Sequence, residues 1–416
     1  DSKIVKPKNE KVFSKFFFMK LITLKAGRDK SAIRRHPWIF SGAIDEVSGN
    51  PEFGDSVEVY AYNGDFLGIA AYSPSSQIRA RFWTFFEKAE INESFFEEKI
   101  EKAIALRESR GFSITDPLSA FRLIYAENDG IPGCIIDKYG EYFSVEILAA
   151  GPEKHREIIY KVLAEKTNCR GIYERCDSDV RKKEGMEKRE GVVYGNVPET
   201  PVPMEENGIR FLIDIRNGHK TGYYLDQRDA RKRIGELSNQ KKVLNCFCYT
   251  GGFGLFALKG NASHVYQVDV SKSALKIAKE LLIENKLPTA KATHTEADVF
   301  QYLRKCRDKG ETFDLIVLDP PKFVEAKDHL QKGARGYKDI NLLAMKLLSP
   351  NGMLATFSCS GLMDMALFQK IIADAAADAK KELQIIERFG QPADHPVSLA
   401  FPEGQYLKGL LVQLKN

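Results

Sequence analysis

From Lys242 onward the chain alternates short apolar runs with helix-length segments, and this constrains its fold more than any other feature. The runs are KVLNCFCY, HVYQVDV, THTEA, FDLIVLD and GMLATFS, with helices expected from Gly252, Ser271, Val299, Asp339 and Asp364. Apolar strands interleaved with helices bury both faces only in a doubly wound parallel sheet. Two further strands, LQIIERFG and GLLVQL, close the chain with no helix between them, which predicts a terminal antiparallel hairpin.

The preceding sequence has a different rhythm. Up to about Glu90, short strands are divided by turn signals, among them the hairpin dipeptide Asn63-Gly64. This predicts a small all-β module over 19–92. Helical spacing from Ser94 to Arg110, the strand pattern of CIIDKYGEYFSVEIL and a helix around His155 to Thr167 then predict a central α+β domain over 93–199. Residues 200–416 form the α/β domain. Residues 1–18 are lysine-rich and lack periodicity, so a disordered extension is expected there.

A chain of 416 residues exceeds what one core serves, in keeping with several domains. No apolar run is long enough to span a bilayer, so no membrane partner and a cytoplasmic location are expected. Seven cysteines without a CxxC pair suggest reduced thiols, and the seven histidines form no zinc spacing, so no metal is expected. The net charge of +5 allows an anionic partner without requiring one.

Open α/β sheets bind ligands beyond the carboxyl ends of their strands. The first strand there enters a glycine turn, Tyr249 to Gly254, and the second ends at Asp269 about 20 residues on, where a carboxylate can accept both ribose hydroxyls. The turn lacks the G-x-G-x-x-G and GK[ST] spacings that cradle phosphates, so a ribose-containing cofactor without phosphate, S-adenosylmethionine, fits better. Asp298 after the third strand either accepts from the adenine amino group or caps the next helix. The fourth strand ends in Asp319-Pro320-Pro321-Lys322, where two prolines hold the chain extended and present the carboxylate rigidly. The fifth runs into Phe357-Ser358-Cys359-Ser360-Gly361-Leu362, whose thiol is either core packing or a nucleophile.

The order NCFCYTGG, Asp269, DPPKF and SCSGL resembles the Rossmann-like S-adenosylmethionine-dependent methyltransferases. More closely, RRHPWIFSGAI, YSPSSQIRARFWTF, VRKKEGME, NGHKTGYYLDQRDAR, VLDPPKFVEAK, RGYKDIN and ADHPV are similar to the bacterial ribosomal large-subunit methyltransferase I family, which makes 5-methylcytosine in 23S ribosomal RNA. The likeness runs from Met19 through essentially the whole chain. It implies an N-terminal PUA-like RNA-binding domain, a central α+β domain and a C-terminal methyltransferase sheet. It also implies a cofactor held by Asn245, Phe247, Tyr249, Thr250, Gly251 and Gly252 at the first strand, and by Asp269 and Ser271 at the second. Asp298, Val299, Asp319, Tyr224 and Gln227 complete that set.

On this resemblance Cys359 and Asp319 are the catalytic pair. Cytosine C5 is a poor nucleophile until a thiolate adds to C6, and Cys359 would supply it; its pKa must then be lowered, and the helix expected after Asp364 is one way to do so. Asp319 would hold the N3 or N4 edge of the base, and the group that takes the C5 proton is unassigned. Cys246 and Cys248 alternate on the first strand and are expected to pack beneath the sheet. RNA contact is expected from Arg34, Arg35, Arg79 and Arg81 with Trp38 and Trp83 nearby, from Lys322, and from Arg335 and Lys338 in a glycine-bearing lid, QKGARGYKD. The basic run Lys182, Lys183, Lys188 and Arg189 is ambiguous. The expected partner is 23S ribosomal RNA, and a homodimer is left open. Two alternatives remain: amino-group methylation of adenine N6 or guanine N2 by the DPPK turn, and a non-catalytic RNA-binding protein.

Overall fold

The alternation after Lys242 folds as a seven-stranded sheet in the computed structural model, which describes residues 20–324 and 327–415. The strands are β1 (Lys242–Cys246), β2 (His264–Asp269), β3 (Ala292–Glu296), β4 (Phe313–Leu318), β5 (Leu348–Ser358), β6 (Leu383–Phe389) and β7 (Lys408–Leu414). Their order is β3-β2-β1-β4-β5-β7-β6. The first five are parallel, and β7 inserts antiparallel between β5 and β6, giving the expected terminal hairpin. The chain winds outward in one direction from β1 and in the other from β4, so the loops after these two strands part and leave a crevice.

The helices are α1 (Gly252–Lys259), α2 (Lys272–Glu284), α3 (Val299–Asp308), α4 (Leu330–Lys346) and α5 (Met365–Ala379). Leu244, Ile316, Leu318 and Leu354 of the sheet are fully buried with Ile340 of α4 and Phe368 of α5 in one core. The segment expected to be a lid lies inside α4, which starts at Leu330 rather than Asp339. Its glycines are packing positions: a Cβ on Gly333 would stand 2.3 Å from the Val324 side chain.

The described chain divides into two compact units. The sheet belongs to the one made of 203–212, 224–395 and 405–415. The other takes in the described residues up to Val202 with 213–223 and 396–404. It holds a six-stranded sheet, with Leu21–Leu24 parallel to Ser56–Tyr60 and its other pairs antiparallel, and a five-stranded sheet built from Ala120–Tyr125 to Arg189–Gly195. Asn63-Gly64 turns the chain between Ser56–Tyr60 and Phe66–Tyr72, with Gly64 at φ 90°. The extension over 1–18 lies outside the described residues.

Two residues expected to meet RNA point inward instead. Arg81 is buried, with its guanidinium forked onto Glu184 at 2.8 and 3.0 Å, and Ser73 and Ser76 complete that carboxylate's partners. Trp83 is buried against Phe95 and Phe96. Alternation on a strand puts one face in the core, and both residues lie on the face that packs against Phe95, Phe96 and Glu184 of the same unit.

Candidate active site

The turn after β1 is built around left-handed backbone. Phe247, Tyr249 and Gly251 have φ of 57°, 48° and 81°, so alternate residues bend the chain sharply between β1 and α1. A side chain on Gly251 or Gly254 would collide with the buried Gln267 amide at 2.8 and 2.4 Å. Gln267 cannot give way easily, because it accepts from Asn245 at 3.1 Å and meets His294 at 3.2 Å. A glutamine inside the apolar run VYQVD was the one sequence sign of this support. Asn245 therefore lies beneath the turn, with its Oδ1 buried and unpartnered. Thr250 is buried as well, whereas Phe247 and Tyr249 keep part of their surface open.

Asp269 ends β2 and braces the turn, accepting from the Tyr249 backbone at 2.8 Å and from the Ser271 backbone at 2.9 Å. Ser271 caps α2 and Asp298 caps α3 by accepting from Gln301 at 2.9 Å, so the capping role of Asp298 is realised; Val299 is buried behind it.

Asp319 leaves the end of β4 and accepts from Gln227 Nε2 at 3.0 Å. Burial, and then the Asp226 carboxylate, push its carboxyl up to about 7, against the pull of Arg231 and the Gln227 bond. Asp226 accepts from Tyr406 at 2.5 Å, and Arg231 forks onto Glu206 at 2.6 and 2.7 Å. Asp226 and Arg231 both lie in the motif NGHKTGYYLDQRDAR, but nothing in its spacing pointed to Asp319. The rings of Tyr224 and Tyr249 stand edge to face 5.8 Å apart beside them.

Cys359 follows β5, next to β4 in the sheet, and is half-buried. Its neighbours Ser358 and Ser360 are fully buried and lie against the Tyr337 hydroxyl at 3.0 and 3.4 Å, which fixes the backbone on both sides of the thiol. Gly361 has open space where a Cβ would be, so close packing does not require it. Cys246 and Cys248 are buried as expected, and burial pushes both thiols well up. Beside the DPPK turn an open pocket of about 320 Å³ is lined by Phe300, Lys322, Phe323, His329 and α4.

Among the other expected RNA contacts, Arg34, Arg35, Lys322 and Arg335 are exposed. Arg79 is half-buried and donates to the Pro74 carbonyl, Trp38 donates to Glu127 at 2.7 Å, and Lys338 pairs with Asp378 at 2.8 Å. Lys338 is thus turned along the surface of α4 toward α5. Among the described residues no helix is long and apolar enough to cross a membrane.

A Rossmann-like sheet with an acid after β2 and a braced glycine turn after β1 defines a class, the S-adenosylmethionine-dependent methyltransferases. A family model with that description matches residues 192–412, and a PUA-like domain model matches 22–85. The chain belongs to the ribosomal RNA large subunit methyltransferase I family. The member from Aliivibrio fischeri is 53% identical over 388 residues, covering 93% of this chain and 98% of its own, and that from Photobacterium profundum is 52% identical over 395 residues, 95% and 99%. A methyltransferase from Streptococcus mutans shares the fold, with a TM-score of 0.82 at 24% identity over 95% of this chain and 100% of its own. So does a methyltransferase solved with S-adenosylhomocysteine, at 0.83 and 24% over the same shares.

The chain thus uses S-adenosylmethionine, and the site suits it. Gln227 Oε1 is buried without a partner on the amide that donates to Asp319, leaving an acceptor for a cofactor N–H.

Proposed function

We propose that the protein methylates C5 of cytosine in 23S ribosomal RNA through a covalent adduct at C6. The observation that carries this reading is the placement of a half-buried thiol, Cys359, and a carboxyl poised near neutrality, Asp319, at the carboxyl ends of adjacent parallel strands. The relatives' name supports large-subunit ribosomal RNA as the substrate.

The Cys359 thiolate adds to C6, forming a C–S bond and moving the C5–C6 π pair onto C5. Asp319, in its protonated form, donates to N3 as charge builds on the ring. S-adenosylmethionine supplies the electrophilic methyl group. The pair at C5 forms the bond to that methyl as the sulfonium departs as a neutral thioether; a base then takes the C5 proton, the C5–C6 double bond re-forms, the thiolate leaves and N3 returns its proton to Asp319. The target base must leave its stack to reach this site, as in other enzymes that act on a base.

For the cofactor, the reading assigns the ribose to Asp269, the adenine side to Asp298 and Val299, and the methionine end to Gln227, Asp319 and Tyr224, with Tyr249 to Gly252 as backbone cradle. Ser271, Asn245 and Phe247 shape the cradle. Arg34, Arg35, Arg79, Lys322 and Arg335 are the RNA-facing cations.

Mass spectrometry of nucleosides from 23S RNA treated with enzyme and labelled cofactor tests the assignment. Labelled 5-methylcytidine is expected from the wild type and none from Cys359→Ser, with cofactor affinity kept within about twofold. Labelled N6-methyladenosine or N2-methylguanosine would sink the reading.

A further inference from the structure

The start of α5 is one candidate for the group that ionises Cys359. The structure weakens that answer. Asp364 caps α5, accepting from Leu367 at 2.7 Å, and its carboxylate offsets the positive end of the helix where the thiol would need it. A different cation lies on the neighbouring strand and bonds the residue after Cys359. Lys408 opens β7 opposite Ser358 on β5 and is 4% exposed, in a strand otherwise apolar up to Gln413.

Its Nζ donates to the Ser360 carbonyl at 2.8 Å and to the Tyr406 carbonyl at 2.6 Å. Two fixed acceptors hold the head group at the turn carrying Cys359 and leave a third N–H direction. Buried lysines are rare without such compensation. Tying down one loop would need only a neutral donor, so an ammonium here calls for a further reason.

We propose that Lys408 is the positioning residue that keeps Cys359 ionised, its ammonium held against the Ser358–Ser360 turn as the counter-charge of the thiolate. The inference rests on the covalent reading above.

The groups facing this pair come from several elements. Cys359 and Asp364 favour the charged lysine, Lys322 opposes it, and Tyr224 and Tyr337 feel the same thiol. Burial is the largest influence and brings Lys408 down to about 8, so most of it remains protonated at neutral pH. Interaction between two titrating groups is reciprocal: a thiolate that favours the ammonium is favoured by it. Lys322 is exposed and screened by solvent, whereas Lys408 is buried and acts on its surroundings at lower dielectric.

The test is the pH dependence of Cys359 alkylation by iodoacetamide in the full chain, followed by peptide mass spectrometry so that the other cysteines do not interfere. In the wild type the midpoint should fall below the ordinary thiol value of about 8.5. Lys408→Met should raise it by about one pH unit. Lys408→Arg keeps the charge and should hold it near the wild-type value. An unmoved midpoint in a folded Lys408→Met or Lys408→Gln protein would overturn the proposal. Should neither fold, a wild-type midpoint at or above about 8.5 overturns it and one well below supports it. The two ideas fail separately. Methylation by Cys359→Ser would remove the covalent reading without touching the alkylation profile, whereas an unmoved midpoint beside an inactive Cys359→Ser removes only the role of Lys408.

Discussion

Asp319 is held in a state that costs stability, and that cost is measurable. Its carboxyl, at about 7, lies above the ordinary value of about 3.9, so the native state binds the extra proton between these limits. Stability from this group is therefore complete at low pH and lost as pH rises toward 7. Asp319→Asn removes the ionisable group while keeping the shape, so it should be more stable than the wild type at pH 8, by roughly 1–2 kcal/mol after allowing for solvent reach, with little advantage at pH 4. Thermal unfolding at the two pH values checks the sign. The same variant should lose about 10²- to 10⁴-fold in methylation rate, measured by label transfer, because it cannot give up a proton. Stability gained where activity is lost is what a functional carboxyl predicts and a structural one does not.

At the scale of elements, the turn between β1 and α1 depends on its glycines because of the glutamine beneath it. Gly254→Ala would press a Cβ into Gln267 and should cost about 1–3 kcal/mol and weaken cofactor binding, as measured by calorimetry. Gly361→Ala, with nothing within 4 Å of its Cβ, should leave the melting temperature within about a degree. The doubly wound sheet was legible because each βα unit carried its own apolar run and breaker, and Asp269, Asp319 and Cys359 could be placed by strand ends alone. The start of α4 was not. Gly333 and Gly336 read as hinge residues in sequence, yet they admit the Val324 side chain and the Phe323 ring, and packing outweighed their low helix propensity.

At the scale of the whole molecule, charges that look alike in sequence divide by burial. Arg34 is exposed, whereas Arg81 is forked onto Glu184 in the interior of its unit. Arg81→Ala strands a buried carboxylate and should destabilise that unit by about 3–5 kcal/mol, seen as an early unfolding transition. Arg34→Ala should leave unfolding unchanged and reduce RNA affinity with a shallower salt dependence, measured by filter binding at several salt concentrations. Which arginine is which depends on contacts more than 100 residues apart along the chain, and no local pattern carries them. Lys408 escaped notice for the same reason: its partner strand, β5, ends 50 residues earlier.

The covalent role of Cys359 is tested most directly with RNA in which the target cytidine carries fluorine at C5. Fluorine cannot be removed as a proton is, so the adduct cannot collapse once the methyl has been transferred. The wild type should give an RNA–protein species that survives denaturing electrophoresis and maps to Cys359, and Cys359→Ser should give none. Methylation of ordinary RNA by the wild type with no trapped species, or a species mapped to another residue, would contradict the account.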